Sequence, residues 1–406
     1  MYLIKKNVLF SLALLLISCS GDDSPNEILE VPVPELYFSF KANNDTSESE
    51  NWIIIHNENG ELLDYKSFEE NDYLEFKTQN PLLTDNISIT LFTYSKINGN
   101  KLHAITTTTG VDKGSIWDDE NKPITEGATD VLIGSFNFAL TNFHKIEWLN
   151  ISNENGEMGG GLSGSENGSV WTYSDSDYTL YEKNNYMFTI VENNLDSKYY
   201  YLQDIQDGDN ISLDYSEFKL FDSYLNINIP INSSYLMVLL GFEDYQDYFD
   251  GNGYMLSQIF PFNNDDVNQN PIRIGYLDRL NKYMTQFSVY FDNYTYNYKK
   301  YGAKPNEIIV PDNSTFSITN NSVQNFEFTT NVNFIKYTSY WSYNTGTWNS
   351  DWVENVWKVE SPTNLYHNIG NLPDEIFQLH QQLDVNSLEY FRTDFTLSPE
   401  ENVIFK

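Results

Sequence analysis

The chain has 406 residues, with 58 Asp or Glu against 23 Lys or Arg and a formal net charge of −35. Nucleic acids and anionic headgroups are bound by neutralising phosphates with Lys and Arg; only three Arg occur, Arg273, Arg279 and Arg392, so no nucleic-acid partner is expected. Cys19 is the only cysteine, so no disulfide can form within the chain and packed cores must hold it, for which 16% aromatic residues are ample.

The N-terminus reads MYLIKKNVLFSLALLLISCSGDDSPNE. Lys5 and Lys6 precede an apolar stretch from Val8 to Ile17, about half the roughly 20 residues that a membrane-spanning helix needs. It fits a cleaved secretory signal over residues 1–18. Leu16-Ile17-Ser18-Cys19 resembles the lipobox of bacterial lipoproteins. That resemblance implies that Cys19 becomes the first residue of the mature chain and carries a diacylglyceryl thioether and an N-acyl chain, since one acyl chain anchors only marginally. Removing the two signal lysines takes the net charge from −35 to −37. Ser20-Gly21-Asp22-Asp23-Ser24 resembles the export tether of surface lipoproteins in Bacteroidota. The implied location is the outer membrane with display at the cell surface; a plain solvated linker is the alternative. Residues 19–35, with Pro32 and Pro34, read as an extended tether.

Beyond the tether, short alternating runs rich in Tyr, Phe, Ile, Val and Thr are punctuated by Asn, Asp and Gly, which is a strand pattern. WIIIHNENGE at 52–61 returns as WLNISNENGE at 148–157. Each reads as a β-run with an Asn-Gly turn, Asn59-Gly60 and Asn155-Gly156, because Asn and Gly tolerate the positive φ of tight hairpin turns. Phe38-x-Phe40 leads into Trp52, Phe136-x-Phe138 into Trp148, and more weakly Phe326-x-Phe328 into Trp341. DNISI at 85–89 and DNISL at 209–213 also echo each other. A recurrence at this spacing is the size of one β-sandwich. The expectation is an all-β chain of tandem immunoglobulin-like β-sandwiches over 36–130, 131–219, 220–310 and 311–406, with each Trp a core anchor and each NENGE a solvent turn. One helix is expected at 373–383, with Pro373 in its first turn and Ile376, Leu379 and Leu383 on one face.

The five histidines, His56, His103, His144, His367 and His380, show no metal-ligand spacing, and zinc chemistry is not expected. Gly161-Leu162-Ser163-Gly164-Ser165 misses the G-x-S-x-G elbow by its last glycine and reads as a Gly-rich loop. SEFK at 216–219 matches S-x-x-K without the partner motifs of that family and reads as a strand edge. Glycoside hydrolysis needs a pair of carboxylates, which 58 acids leave unassigned. Asp247, Asp250 and Asn252, within EDYQDYFDGNGY, and the run DIQDGDN at 204–210 offer oxygen ligands for Ca²⁺ but miss the loop spacing of a calcium site; an acidic hairpin turn is the plainer reading. No other cofactor is expected.

YTSYWSYNTGTWNSDWVENVWKV at 337–359 holds half of the eight tryptophans. Trp341, Tyr343, Trp348, Trp352 and Trp357, interleaved with Asn344, Asn349 and Asp351, are candidates for a glycan platform, because sugar C–H faces stack on indoles. The same residues are also ordinary sandwich core. The chain resembles, in its targeting residues and strand pattern, a Bacteroidota-type surface lipoprotein. The function expected on these grounds is that of a membrane-anchored, non-enzymatic binding or adhesion protein for a polysaccharide or a surface protein. A structural spacer or envelope-complex subunit is the first alternative and a secreted glycan-active hydrolase the second.

Overall fold

The computed structural model describes residues 34–42, 49–79, 82, 85–119, 131–144, 146–154, 156, 163–192, 197–230, 233–243, 253–259, 271–348, 350–362 and 369–406. The signal, Cys19 and nearly all of the tether lie outside them. The described chain is almost entirely β-structure.

One pattern of strand pairing recurs four times. In the first span, β1 (Glu35–Ala42) pairs with β4 (Tyr73–Thr78), while β2 (Ser49–Asn57) pairs with both β3 (Leu62–Phe68) and β5 (Asn86–Ile97), and β5 with β6 (Asn100–Asp112). A seventh strand, β7 (Ile116–Asp119), adds parallel to β1. In the second span β8 (Leu132–Phe143) pairs with β11 (Val170–Tyr181), β9 (Ile146–Asn153) with β12 (Tyr186–Glu192), and β12 with β13 (Lys198–Leu202); β14 (Asn210–Asp214) adds parallel to β8. Here the third strand, β10 (Ser163–Asn167), has crossed to pair with β11, which leaves β9 at a sheet edge. A two-residue strand, β15 (Lys219–Leu220), closes the other edge on β13.

The third span repeats the scheme with β16 (Ser223–Ile227) on β19 (Ile272–Tyr276), β17 (Ser234–Phe242) on β18 (Tyr254–Ile259) and β20 (Lys282–Tyr290), and β20 on β21 (Tyr294–Gly302). In the fourth, the hairpin of β22 (Phe316–Asn320) and β23 (Glu327–Thr330) stands in for the small sheet; β24 (Lys336–Thr345) pairs with β25 (Val353–Pro362) and β26 (Glu389–Ser398), and β26 with β27 (Glu401–Phe405). The local cause is alternation: along β25, Val353, Asn355, Trp357, Val359 and Ser361 are buried and the residues between them are half-exposed.

The spans are not a string of separate bodies. β6 pairs parallel with β25, and β21 pairs antiparallel with β27, so strands of 36–130, 220–310 and 311–406 make one twelve-stranded sheet. Unpaired sheet edges are a liability that pairing removes, and that is how the expected boundaries are crossed. The second span joins through β18, against which β9 and β12 pack. In space the first span therefore lies beside the fourth, the fourth beside the third, and the third beside the second.

The side chains gather into three cores. Phe38, Phe40, Ile53, Ile55 and Phe76 fill a core private to the first span, and Phe136, Phe138, Tyr178, Phe188 and Ile190 one private to the second. The third is shared: Ile54, Phe92 and Ile105 of the first span and Met187 of the second pack with Tyr254, Leu256, Trp341, Trp357 and Phe395. The big sheet of the first span is thus covered on both faces. Its odd face along β2 serves its own sandwich, and its even face meets residues 369–388 of the fourth span, including Ile369, Leu372, Ile376 and Leu383.

This arrangement corrects the expected role of the repeated phrase. Trp52 and Trp148 are half-buried. Trp52 packs with the shared core, on the opposite strand face from Ile53 and Ile55 of its own span's core. The two turns do match: Gly60 donates to the Asn57 carbonyl and Gly156 to that of Asn153, each at 3.0 Å, with φ of +80° and +72°. Neither turn is merely solvated. The carbonyl of Gly60 sits where a Cβ on Gly370 would lie, at 2.5 Å, and Gly156 meets the backbone of Gly253. The residue four beyond each Trp completes the contact. His56 Nε2 lies 3.0 Å from the Asn371 carbonyl, and Ser152 Oγ accepts from the Met255 amide at 2.7 Å. The phrase is written twice because it docks a neighbouring span twice.

Two smaller expectations change. DNISI lies on β5 and DNISL on β14, the fifth and seventh strands of their spans, so they are not equivalent. The helix is shorter than 373–383: α1 runs Asp374–Leu379, with Pro373 as its extended N-cap. The chain turns after His380, so Ile376 and Leu383 are buried but Leu379 is exposed.

Candidate functional site at the Trp348 end of the sheet

The structure divides the late tryptophans. Trp341 and Trp357 are each 1% exposed and belong to the shared core; their indole N–H groups donate to the Asn321 carbonyl at 2.7 Å and to Thr107 Oγ1 at 2.9 Å. As platform residues they are corrected to core residues. Alternation along β24 and β25 puts them on the inward face. Tyr343 and Trp352 are half-buried, and Trp348, in the loop between the two strands, is 63% exposed. Trp348 and Trp352 stand edge to face with ring centroids 5.9 Å apart.

The loop that carries Trp348 is braced from within. Asp351 Oδ1 accepts from the Thr347 amide at 2.8 Å, and the Thr347 carbonyl accepts from Ser350 and Asp351 at 3.1 and 3.2 Å. Gly346, at φ +85°, lies so close to the Asp351 carbonyl that no Cβ fits. The adjoining hairpin of β5 and β6 supports it from the first span. Lys101 donates its amide to the Trp352 carbonyl at 2.8 Å, and Gly99 abuts the Ser350 carbonyl. Ile97 and Leu102 of that hairpin are exposed. Asn344, Thr345, Thr347 and Asp351 add exposed polar groups.

A cleft of 340 Å³ opens at the same end of the sheet, lined by Ser49, Glu50, Trp52, Phe68, Glu69 and Asp72 among others. The registers fix its position: Ser49 is opposite Ser95, Ile97 opposite Asn100, Lys101 opposite Val353 and Val353 opposite Thr345. Three strand spacings, about 14 Å, separate β2 from β25. An aromatic loop and an acidic, Trp-bearing cleft thus share one end. Ile97, Leu102 and the cleft were not singled out by sequence reasoning. The Asn98-Gly99 turn flags a hairpin tip, but its place beside Trp348 comes from the parallel β6–β25 pairing.

The other candidate residues have plainer roles. Asp247, Asp250 and Asn252 lie outside the described residues. In 204–210, Asp207 accepts from the Ser135 amide and Asp209 from that of Gln206, so these carboxylates brace turns. Among the described residues no three His, Cys, Asp or Glu groups converge on a metal position. Gly164 and Ser165 lie on the strand β10 rather than in a loop. Ser216 is in a 3-10 turn, not a strand edge, held by reciprocal caps between Asp214 and Glu217. Burial raises the Asp394 carboxyl above its ordinary range against the pull of Arg392, which is 2.7 Å away; it is half of an ion pair on β26. All three arginines cap tyrosines, Arg273 over Tyr224, Arg279 over Tyr201 and Arg392 over Tyr340.

A scan of the chain against protein-family models finds no match, and a search of curated proteins finds no similar sequence.

Proposed function

We propose that the chain is a lipid-anchored glycan-binding protein of the outer membrane, displayed at the cell surface and without catalytic activity. Trp348 is its principal contact, Trp352 the edge beside it, and the cleft at Trp52, Glu69 and Asp72 a second contact along the same polysaccharide. The observation that carries the reading is the exposure of Trp348 on a braced loop, while its neighbours Trp341 and Trp357 are buried. A rigidly presented aromatic side chain stacks on a sugar at little entropic cost. Carboxylates and Asn or Ser side chains accept hydrogen bonds from hydroxyls. The proposal places Cys19 in the membrane as the lipid-bearing residue and treats Ca²⁺ at Asp247, Asp250 and Asn252 as no part of the mechanism.

The test is binding of the mature protein to a glycan array, repeated with Trp348→Ala and with Trp357→Phe. Trp348→Ala is expected to weaken binding by about tenfold or more, roughly 1.4 kcal/mol, and Trp357→Phe to leave it within about twofold of the parent. Equal binding by parent and Trp348→Ala, or no glycan bound, rejects the glycan reading. Mass spectrometry of the envelope protein tests the anchor: an unmodified Cys19 thiol rejects it. A second reading, a structural element of an envelope assembly, is favoured by the edge-to-edge fusion of three spans into one sheet. It predicts that Trp348→Ala abolishes capture of an envelope protein rather than of a glycan.

A further inference from the structure

Three of the five histidines lie at the joint between the first and fourth spans, and each meets the opposite span. His56 Nε2 donates to the Asn371 carbonyl, which leaves its Nδ1 buried without a partner. His103 Nδ1 lies 3.0 Å from Asn355 Oδ1, and that oxygen also accepts from the Asp384 amide at 3.3 Å. His380 Nε2 lies 3.5 Å from a Glu50 carboxylate oxygen at the cleft. Phe92 and Tyr94 pack on both His103 and His380, whose rings are 5.7 Å apart. All three imidazoles are buried.

We infer that this joint is an acid-operated latch: protonation of His56, His103 and His380 releases the 369–388 segment from the face of β2, β5 and β6 and uncovers Trp52, Ile54 and Phe92. A buried imidazole can stay neutral in the closed joint but not carry an unpaired charge there. Burial is the main cause of depression for all three. It lowers His103 from 6.5 to about 4, helped by His380 and Lys101 and opposed by Asn355. It lowers His380 against the pull of Glu50, and His56 against that of the Asn371 carbonyl. The other charged groups at the joint do not neutralise the imidazoles: Lys101 bonds Gln382 and opposes protonation of His103, Glu375, with Asp374 and Asp64, faces Tyr65, and Asp384 is held by Ser387. Two or three positive charges would therefore meet one carboxylate, Glu50, among the described contacts.

Linkage sets the sign. Groups whose pKa is lower in the closed form bind more protons when open, so closure is fully favoured above about pH 6.5 and weakens as pH falls toward about 4. Each proton taken up changes the opening equilibrium by about tenfold per pH unit in that window. The joint between the second and third spans is an internal reference. Its cross-contacts include Ser152 to the Met255 amide, Thr189 to the Met255 carbonyl, Tyr201 to Tyr254, Tyr224 to the Ser197 carbonyl and Arg279 over Tyr201, with no histidine among these groups.

Hydrogen exchange of the mature protein at pH 7 and pH 5, corrected for the intrinsic pH dependence of exchange, tests the latch. Amides of 369–388 should lose about tenfold or more protection relative to amides of β18, and His380→Gln should reduce that loss. Equal changes in the two regions overturn the proposal for the parent protein alone, whether or not the variant folds. An unaltered pH response in a folded His380→Gln protein removes His380 from the latch.

Discussion

The joint between the first and fourth spans and the joint between the second and third are built on one plan with different chemistry. In each, the glycine of the repeated phrase, Gly60 or Gly156, meets a glycine of the neighbouring span, and the side chain of His56 or Ser152 forms a hydrogen bond to that neighbour's backbone. At the first joint that side chain is His56, set among His103, His380 and Glu50. At the second it is Ser152, joined by Thr189, Tyr201 and Tyr254. The backbone device is therefore separable from the side chains that surround it, and among the described residues His56, His103 and His380 stand at the first joint. A further difference lies in the strands. With β10 moved to β11, β9 becomes an edge that can lie against β18, whereas β2 keeps β3 and is covered by residues 369–388.

Substitutions can break this comparison at graded cost. Trp357→Ala should be the most damaging, by about 3–5 kcal/mol in denaturant unfolding, because it empties the shared core and removes the bond to Thr107 across the first joint. Gly370→Ala and Gly253→Ala should each cost about 1–3 kcal/mol by overpacking. A Cβ at Gly370 would lie 2.0 Å from His56 Cδ2, and one at Gly253 would lie 2.8 Å from the Gly241 carbonyl. If Gly370→Ala proves neutral by the same measurement, the turn is not a seat. Ser152→Ala should cost about 1–3 kcal/mol, because it strands the buried Met255 amide. Its cost should also be the same at pH 7 and pH 5, unlike any substitution at the histidines. Trp348→Ala should change stability by less than about 0.5 kcal/mol while weakening glycan binding, which separates the exposed end of the sheet from both joints.

Much of the fold is legible in the residues because it rests on local pattern. The β-branched run of β2 and the alternation of β25 announce strands, and Gly60 and Gly156 take the positive φ that their turns announce. Phe38-x-Phe40 and Phe136-x-Phe138 mark the two private cores, whereas Phe326-x-Phe328 belongs to the shared one. The mistaken expectations share a cause. Alternation marks two faces of a strand without saying what covers each one. Trp52 and Trp148 therefore read as anchors of their own sandwiches, although they lie on faces turned to a neighbour. Trp341, Trp348, Trp352 and Trp357 look alike in a one-dimensional window. Two fall in register on the inward face, and one sits in a loop that Gly346 and Asp351 hold away from it. The histidine cluster is illegible for a related reason: His56 and His103 reach the span of His380 through contacts that cross 315 and 252 residues, so the spacing to His380 means nothing.

Local order in the chain dictates its β-character, its recurring unit and its turns, because period-two burial and glycine geometry act over a few residues. Which spans became neighbours was settled in three dimensions. The edges of β6 and β21 could be satisfied by β25 and β27, and the hydrogen bonds and apolar area gained there depend on surfaces that exist only once the individual sheets have formed.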